Sequence, residues 1–180
     1  MFFYPTLNTQ KILEKVRVRH LKCADLPALE WEGEYTHFRP MFERAYRRTE
    51  TGEAVVWVAD YARQLVGQVF VQLRSGRNGL VDGRTRAYVY AVRVRSAYRN
   101  LGLGSRLMYV VENDLIWRGY ECATLNVARD NPDAQRFYER LGYRVVGEED
   151  GRWSYTDHLG VTHLVHEPAW RMEKVLIPGQ

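Results

Sequence analysis

The sequence predicts an α/β fold in which about four helices pack on a mixed central sheet of six to seven strands. Two observations support this prediction. Short stretches rich in β-branched residues recur along the chain, and between them apolar residues recur at the i, i+3, i+4, i+7 spacing of amphipathic helices. No internal repeat divides the chain, and its 180 residues, 46% of them hydrophobic, suffice for one sizeable core. We therefore expect one domain spanning residues 1–180.

Composition argues against several classes of protein. No apolar run approaches the ~20 residues that a membrane-spanning helix needs, and no charged segment followed by an apolar stretch and cleavage site opens the chain. Cys23 and Cys122 are far apart and lack a CxxC partner, which argues against a disulfide framework and a zinc site. We expect a cytoplasmic protein without a membrane partner.

The formal charge of +4 belongs to a mixed surface, because 22 acidic residues accompany 26 basic ones. No nucleic-acid-binding motif or basic helix accompanies it, so we expect no nucleic-acid partner. A local excess of arginine beside a phosphate-binding loop carries more meaning than the total charge. Such an excess occurs at Arg93, Arg95, Arg99 and Arg106.

The first elements are a strand and two helices. Residues 16–19 alternate apolar and basic side chains, as a half-buried strand does, and Asp25 is placed to cap a short helix through Leu29. The apolar stripe of the second helix consists of Phe38, Met41, Phe42 and Ala45.

The next segments are predicted strands and loops. Residues 54–59 are apolar and rich in β-branched side chains, residues 65–73 alternate, and residues 60–64 connect them as a hairpin turn. Residues 74–83 are dense in glycine, asparagine and aspartate, which predicts a surface loop. Another strand follows at residues 86–94.

Two amphipathic helices frame the next strand, residues 122–127. The first ends at Gly119 and the second runs from a cap at Asn131 and a proline at its first position to Gly142. Their apolar stripes are Leu103, Leu107, Val111 and Leu115 for the first, and Ala134, Phe137, Tyr138 and Leu141 for the second. Residues 143–147 and 170–176 are predicted closing strands, and residues 148–168 form a hairpin or a loop.

Residues 94–105 hold the end of a strand, a basic glycine-rich loop and the start of a helix. The first N–H groups of a helix have no intrahelical partner and the helix dipole adds positive charge there, so this junction favours phosphate. Gly102 and Gly104 allow close approach of the backbone to a ligand. Arg99 and Arg106 are candidates for charge-assisted hydrogen bonds to a pyrophosphate.

This region resembles the GCN5-related N-acetyltransferases. Arg99, Gly102 and Gly104 match the Arg-x-x-Gly-x-Gly pyrophosphate signature, and residues 88–94 are similar to that family's central strand. Residues 131–143 resemble its later motif, a helix that runs into a leucine-glycine-tyrosine phrase. The resemblance is strong over residues 86–147 and elsewhere rests on the order of elements. A dinucleotide fingerprint and a P-loop are both missing, which disfavours a nucleotide-binding domain.

The resemblance implies an enzyme that transfers an acetyl group from acetyl-coenzyme A to a primary amine by direct attack, without a metal. In the family, backbone N–H groups of the loop hold the pyrophosphate, and the pantetheine arm pairs with the central strand near a backbone N–H that serves the thioester carbonyl. The matching residues are Val92, Arg93 and Val94 on the strand, and Arg99, Asn100, Leu101, Gly102, Leu103, Gly104 and Ser105 on the loop.

Two further residues acquire roles from the resemblance. Asn131 matches a residue whose side chain reaches the pantetheine arm, and it is equally a helix cap. Tyr138 matches the tyrosine that many members use as general acid toward the departing thiolate. Because Tyr138 also belongs to the apolar stripe of its helix, a role as a core aromatic stays open.

The chain departs from the family at the general base. Many relatives have an acidic residue on the central strand where this chain has Tyr90, preceded by Tyr88. Deprotonation of the amine would then use water or a carboxylate on another segment, and an acidic cluster is equally suited to binding a cationic amine or to a solvated face. The candidates are Glu30, Glu32 and Glu34.

Other residues allow more than one interpretation. The three histidines near the end of the chain fit no metal template and are interpreted as surface or hairpin residues; they are His158, His163 and His166. Trp153 and Tyr155 either line a substrate cleft or pack the loop down. A coenzyme A-binding sensor without catalysis is the alternative function. The acceptor, a small-molecule or peptide amine, stays open, and a homodimer is expected from the family alone.

Overall fold

A mixed seven-stranded sheet forms the centre of the computed structural model, which describes residues 7–74 and 80–177. The strands are β1 (Arg17–His20), β2 (Ala54–Tyr61), β3 (Gln64–Gln72), β4 (Arg86–Val94), β5 (Cys122–Ala128), β6 (Arg144–Glu149), β7 (Arg152–Thr156), β8 (Thr162–His166) and β9 (Ala169–Val175). The large sheet has the order β1-β2-β3-β4-β5-β9-β6, in which β4 and β5 run parallel and the other neighbours antiparallel. The predicted mixed sheet is confirmed.

In the described part of the chain, four α-helices pack against this sheet: α1 (Leu7–Lys15), α2 (Arg39–Glu50), α3 (Leu103–Trp117) and α4 (Pro132–Arg140). The sequence did not predict α1, whose Ile12 and Leu13 pack against the core. Within the described ranges, none of the helices combines the length and apolar character needed to cross a membrane.

The two faces of the sheet bury different clusters. Along β2, Val55 and Ala59 pack with α3 and α4 in the main core, which we call the α3 cluster. Val56 and Val58 pack on the other face of the sheet with Phe42 of α2. This alternation follows from the period of two in a strand. Each fully buried side chain of this size stabilises the fold by roughly 1.5–3 kcal/mol relative to an exposed one.

The segment before α2 differs from the prediction. The predicted short helix is present as a 3-10 helix, Cys23–Glu30, but its N-cap is Lys22; Asp25 is the third residue of this helix and accepts a capping hydrogen bond from the backbone N–H of Lys22. The same carboxylate binds Arg19 of β1 with two hydrogen bonds of 2.6 and 3.0 Å. These hydrogen bonds explain why Asp25 is not the N-cap: its carboxylate lies between Lys22 and Arg19 and links the 3-10 helix to β1.

The predicted surface loop at residues 74–83 is only partly correct. Residues 75–79 lie outside the described residues, but Leu80 and Val81 are buried and pack on Tyr88. The carbonyl of Leu80 also accepts a hydrogen bond of 2.6 Å from Thr124 Oγ1. The end of this loop is therefore part of the core.

The later segments follow the prediction closely. The β2–β3 turn has positive φ at Ala62 and Arg63, and Gly119 and Gly142 take positive φ where α3 and α4 end. The open alternative for residues 148–168 is decided in favour of a hairpin, made of β7 and β8. This hairpin returns over the face of the sheet that carries α2, where it contacts the segment before that helix.

Asp157 organises the turn of this hairpin. Its carboxylate accepts hydrogen bonds from the N–H groups of Leu159 and Val161, both at 2.9 Å, and lies 2.7 Å from Nε2 of His163. The His163 contact, followed by the Val161 N–H, lowers the pKa of Asp157 from 3.8 to about 2. The ionised carboxylate is thus favoured by the fold.

We predict that this carboxylate stabilises the protein fully above pH 3.8 and that its contribution disappears as the pH falls toward its folded pKa of about 2. In thermal unfolding followed at several pH values, Asp157→Asn should lower the midpoint at neutral pH and reduce the loss of stability across that acidic interval. Asp150→Asn, which changes an exposed carboxylate of the same hairpin, is the control. Identical acid profiles for Asp157→Asn and the wild type would contradict the prediction.

Candidate active site

β4 and β5 pair only at their beginnings. The paired residues are Arg86 with Cys122, Ala87 with Ala123, and Tyr88 with Thr124. Beyond them β4 continues to Val94 and β5 to Ala128, with no further pairing between the two in the described structure. One edge of β4 therefore faces a cleft inside the sheet, where an extended ligand can add as a strand.

A β-bulge interrupts β4 beside this cleft. Between the pairs Gln68–Arg93 and Phe70–Tyr90, two residues of β4 face one residue of β3, and Ala91 has φ +48°. The extra residue reverses the alternation of side chains, so that Val92 and Val94 pack with the α3 cluster while Arg93 points to the face of α2. The bulge therefore changes both the backbone and the side chains presented at the cleft.

The glycine-rich loop follows β4 directly. A short 3-10 turn, Ser96–Tyr98, leads to Asn100 and Gly102, which have φ +60° and +87°, and α3 begins at Leu103. The first N–H groups of α3 have no intrahelical acceptor, so the start of this helix, which follows the end of β4, favours an anion. The loop residues predicted from the sequence are thus contiguous with the open edge of β4.

Gly104 lies where the glycine-rich loop meets α4. A Cβ added at Gly104 would lie 3.2 Å from Cζ of Phe137 and 4.0 Å from Cγ2 of Val94. The first turn of α3 can therefore pack closely on α4 and on the end of β4 because residue 104 has no side chain. Spacing in the sequence did not reveal this contact.

The four arginines that the sequence places near the loop make different contacts in the structure. Arg99 is exposed at the loop, where its Nε donates a 2.9 Å hydrogen bond to the Val94 carbonyl. Arg106 donates to the carbonyl of Leu13, and Arg95 forms an ion pair with Glu32. Arg93 lies on the other face. Of the four, Arg99 is the one that remains available beside the loop.

Asn131 and Tyr138 lie on α4. The Oδ1 atom of Asn131 accepts a 3.0 Å hydrogen bond from the Ala134 N–H, which confirms the helix cap; its contact with pantetheine stays a prediction. Tyr138 packs against the main core, with its ring 5.8 Å from that of Tyr143. Burial, followed by the nearby phenol of Tyr88, raises the pKa of Tyr138 well above its usual value. This phenol stays protonated at neutral pH.

Aromatic rings cover the opposite face of β4. Tyr88 and Tyr90 are parallel with centroids 5.6 Å apart, and Tyr90 contacts Phe70 at 5.5 Å. On the same face, the ring centroids of Tyr155 and Trp153 lie 4.8 and 6.4 Å from the ring centroid of Phe38. The two hairpin aromatics therefore do pack the hairpin down, and in doing so they border the same face as Tyr90.

The acidic candidates for a general base are largely engaged. Glu30 binds Arg39 and Thr36, and Glu32 binds Arg95; hydrogen bonds from these arginines lower the pKa of both carboxyls. Glu34 is exposed. The solvated interpretation fits Glu34, whereas the other two glutamates hold parts of the fold together.

The hairpin histidines form pairs with aspartates: His163 with Asp157 at 2.7 Å and His166 with Asp150 at 3.3 Å. Over residues 7–74 and 80–177, no three histidine, cysteine, aspartate or glutamate side chains are grouped so that they can hold a metal ion. These contacts fit the interpretation of the histidines as hairpin residues.

Residues 18–143 match the model of the GNAT acetyltransferase family, which is more than half of the chain. The chain belongs to the GNAT acetyltransferase family. Its closing hairpin and β9 lie beyond the matched residues. The predicted family and fold class are therefore confirmed.

A phage relative illustrates one activity in this family. The 5-NmdU N-acetyltransferase of Pseudomonas phage PaMx11 is 36% identical to this GNAT protein over 63 residues. That match includes 35% of this chain and 43% of the phage protein, so the chain spans less than half the length of this relative.

Solved structures establish the fold of this GNAT protein over nearly its whole length. The ribosomal-protein-S18-alanine N-acetyltransferase from Escherichia coli has a TM-score of 0.68 at 18% identity, with 92% of this chain and 96% of that one covered. Arabidopsis thaliana NAA60, solved in complex with acetyl-CoA, has a TM-score of 0.67 at 20% identity, with coverage of 89% and 98%.

We predict that Gly104→Trp strongly weakens binding of acetyl-coenzyme A, because Phe137 occupies the space beside residue 104 and a larger side chain would displace the start of α3. Isothermal titration should show an affinity reduced by on the order of a hundredfold or more, equivalent to about 2.8 kcal/mol. Gly147→Trp is the matched control, since a Cβ at Gly147 meets no atom within 4 Å. Equal affinity of both variants, each folded by circular dichroism, would contradict the assignment of the loop.

Proposed function

We propose that this protein is an N-acetyltransferase that moves an acetyl group from acetyl-coenzyme A to a primary amine by direct attack. The observation that carries the proposal is the early separation of β4 from β5, with the glycine-rich start of α3 at the end of the same strand. An open strand edge and a helix start fit the two halves of one ligand, its amides and its phosphates.

The chain's residues fit acetyl-coenzyme A in a defined way. Backbone N–H groups at residues 99–105 would hold the pyrophosphate, with Arg99 as the exposed cation beside them. Backbone groups of Val92, Arg93 and Val94 would pair with the pantetheine arm, and the side-chain amide of Asn131 would face it from α4. When bound, the cosubstrate supplies the thioester whose acetyl group is transferred.

Tyr138 is the proposed general acid. A thiolate leaves more readily once it is protonated, and a buried phenol whose pKa is raised retains its proton at neutral pH. The bulge at Ala91 frees backbone N–H groups from the β3 ladder, which suits them to stabilise a carbonyl oxygen that gains negative charge. The amine would approach from the face that carries Tyr90 and the β7–β8 hairpin, since α3 and α4 cover the other face.

One observation favours a second candidate, a coenzyme A-binding sensor that does not catalyse. The central strand has Tyr90 where many relatives have a carboxylate, and Glu30 and Glu32 are held in ion pairs. Water-mediated deprotonation would make a carboxylate on β4 unnecessary, so we keep the enzyme as the leading proposal. The acceptors named for the similar proteins, 5-NmdU and an alanine of ribosomal protein S18, differ too much to assign this chain's substrate.

The deciding experiment combines binding and turnover on one preparation. Acetyl-coenzyme A is titrated calorimetrically, and thiol release is then measured with a panel containing 5-NmdU, an alanine-terminated peptide, spermidine and small alkylamines. Binding together with amine-dependent thiol release supports the transferase. Binding without turnover on any amine favours the sensor, and absence of binding refutes both.

Tyr138→Phe should lower kcat by about a hundredfold, the lower range for loss of a general acid, while acetyl-coenzyme A still binds. Because burial moves the pKa of Tyr138 upward, the alkaline limb of its wild-type pH profile should lie above pH 10, the ordinary value. Tyr143→Phe, on the neighbouring buried phenol, is the control for lost packing. An unchanged kcat in Tyr138→Phe would leave Tyr138 as a core aromatic only.

A further inference from the structure

Among the residues that the structure describes, Arg93 is a partly buried cation with no carboxylate in ion-pairing contact, although the charge of the exposed Glu34 acts on it. Its guanidinium carbon lies 4.1 Å from the ring centroid of Tyr35 and 5.2 Å from that of Phe38. The Nη1 atom is buried and has no hydrogen-bond partner, and within the part of the chain that the structure describes no acidic group lies within ion-pairing distance.

Arg95, two residues further along the chain, gives a direct comparison. Its guanidinium also stacks on an aromatic ring, that of Trp31, at 5.0 Å. Glu32 neutralises it with hydrogen bonds of 2.6 and 3.0 Å, and its Nε donates to the Leu65 carbonyl. The fold thus gives the guanidinium of Arg95 hydrogen bonds at all three nitrogens, whereas the buried Nη1 of Arg93 has none.

A buried guanidinium nitrogen without a hydrogen-bond partner is unfavourable. Removing charge from water is unfavourable unless an opposite charge or hydrogen bonds replace the water. Burial lowers the pKa of Arg93, whereas the nearby Tyr35 and Glu34 act to raise it, and a guanidinium keeps its proton in proteins. Gln68, its pairing partner on β3, also has both side-chain polar atoms buried without a partner. These unsatisfied groups together point to a polar ligand that completes them.

The location of Arg93 restricts which ligand this is. The bulge directs its side chain to the face of α2, away from Val92 and Val94, which pack with the α3 cluster. The loop that fits the pyrophosphate continues from the strand toward α3, and Arg99 lies beside that loop. The anion that meets Arg93 therefore arrives with the molecule that approaches from the aromatic face, which is the acceptor.

We propose that Arg93 recognises a carboxylate or phosphate on the acceptor, so that the substrate class is an amine that itself carries an oxyanion. Tyr35 and Phe38 hold the guanidinium plane, which leaves its N–H groups to bind the anion. The proposal rests on the proposed function for the side from which the acceptor comes. It makes Arg93 a specificity-determining residue and assigns it no step in the chemistry.

Binding is measured without turnover. Coenzyme A, which has no acetyl group, is added to saturation, and four amines are then titrated calorimetrically as two matched pairs: O-phosphoethanolamine with ethanolamine, and 3-aminopropanoate with propylamine. The anionic member of at least one pair should bind about ten- to a hundredfold more tightly, the range for hydrogen bonds to a charged group. The pair with the larger ratio distinguishes phosphate from carboxylate.

Variants test whether Arg93 causes the preference. Arg93→Gln should bring the ratio close to one, Arg93→Lys should retain part of it, and Arg95→Gln, which removes a charge already neutralised by Glu32, should leave it unchanged. Thermal unfolding verifies that each variant folds. If Arg93→Gln does not fold, the test uses the wild type and Arg93→Lys: the ratio should be high in the wild type and lower, but still above one, in Arg93→Lys.

A wild-type ratio near one in both pairs overturns the proposal, as does a ratio that survives Arg93→Gln. Failure of the proposed function is seen separately, as absent thiol release with acetyl-coenzyme A, and leaves this binding test intact. If coenzyme A itself does not bind, the same titrations on the free protein decide whether the anion site exists.

Discussion

β4 and β5 exchange hydrogen bonds over three residue pairs and then separate, so that the rest of β4 presents a strand edge inside the sheet. Backbone groups at such an edge need partners from water or from a ligand. The start of α3 follows at the end of the same strand and offers free N–H groups to an anion. The open strand edge and the start of α3 together fit the proposed ligand, which has amides at one end and phosphates at the other.

The bulge at Ala91 divides the chemistry between the two faces of β4. Before it, Val89 faces the α3 cluster and Tyr90 faces α2; after it, Val92 faces α3 and Arg93 faces α2. An unbulged strand would have buried the guanidinium of residue 93 in the apolar α3 cluster, at a large cost in free energy. One inserted residue thus keeps the α3 face of β4 apolar and places a cation on the α2 face, from which the acceptor is proposed to approach.

Local patterns predicted the parts of the site that lie on one continuous stretch. The bounds of β4 and the cap at Asn131 follow from strand composition and helix-capping preferences. The unpredicted parts come from contacts between distant segments. The bulge reflects a mismatch with β3 and puts positive φ on an alanine, which rarely takes it, and the partners Glu32 and Arg95 are 63 residues apart. No sequence pattern distinguishes Arg95, which has an ion pair, from Arg93, which has none, or shows that Ile12 and Leu13 of α1 pack on the core.

Hydrogen exchange of backbone amides, with and without acetyl-coenzyme A, tests the central claim most directly. We expect binding to slow exchange at two separate places. One is residues 89–94, where the ligand would pair with the open edge of β4, and the other is residues 102–105, where its phosphates would meet the start of α3. Protection at residues 102–105 alone would mean that the loop binds an anion without use of the strand edge. Protection at neither place would contradict the account of how this fold holds its ligand.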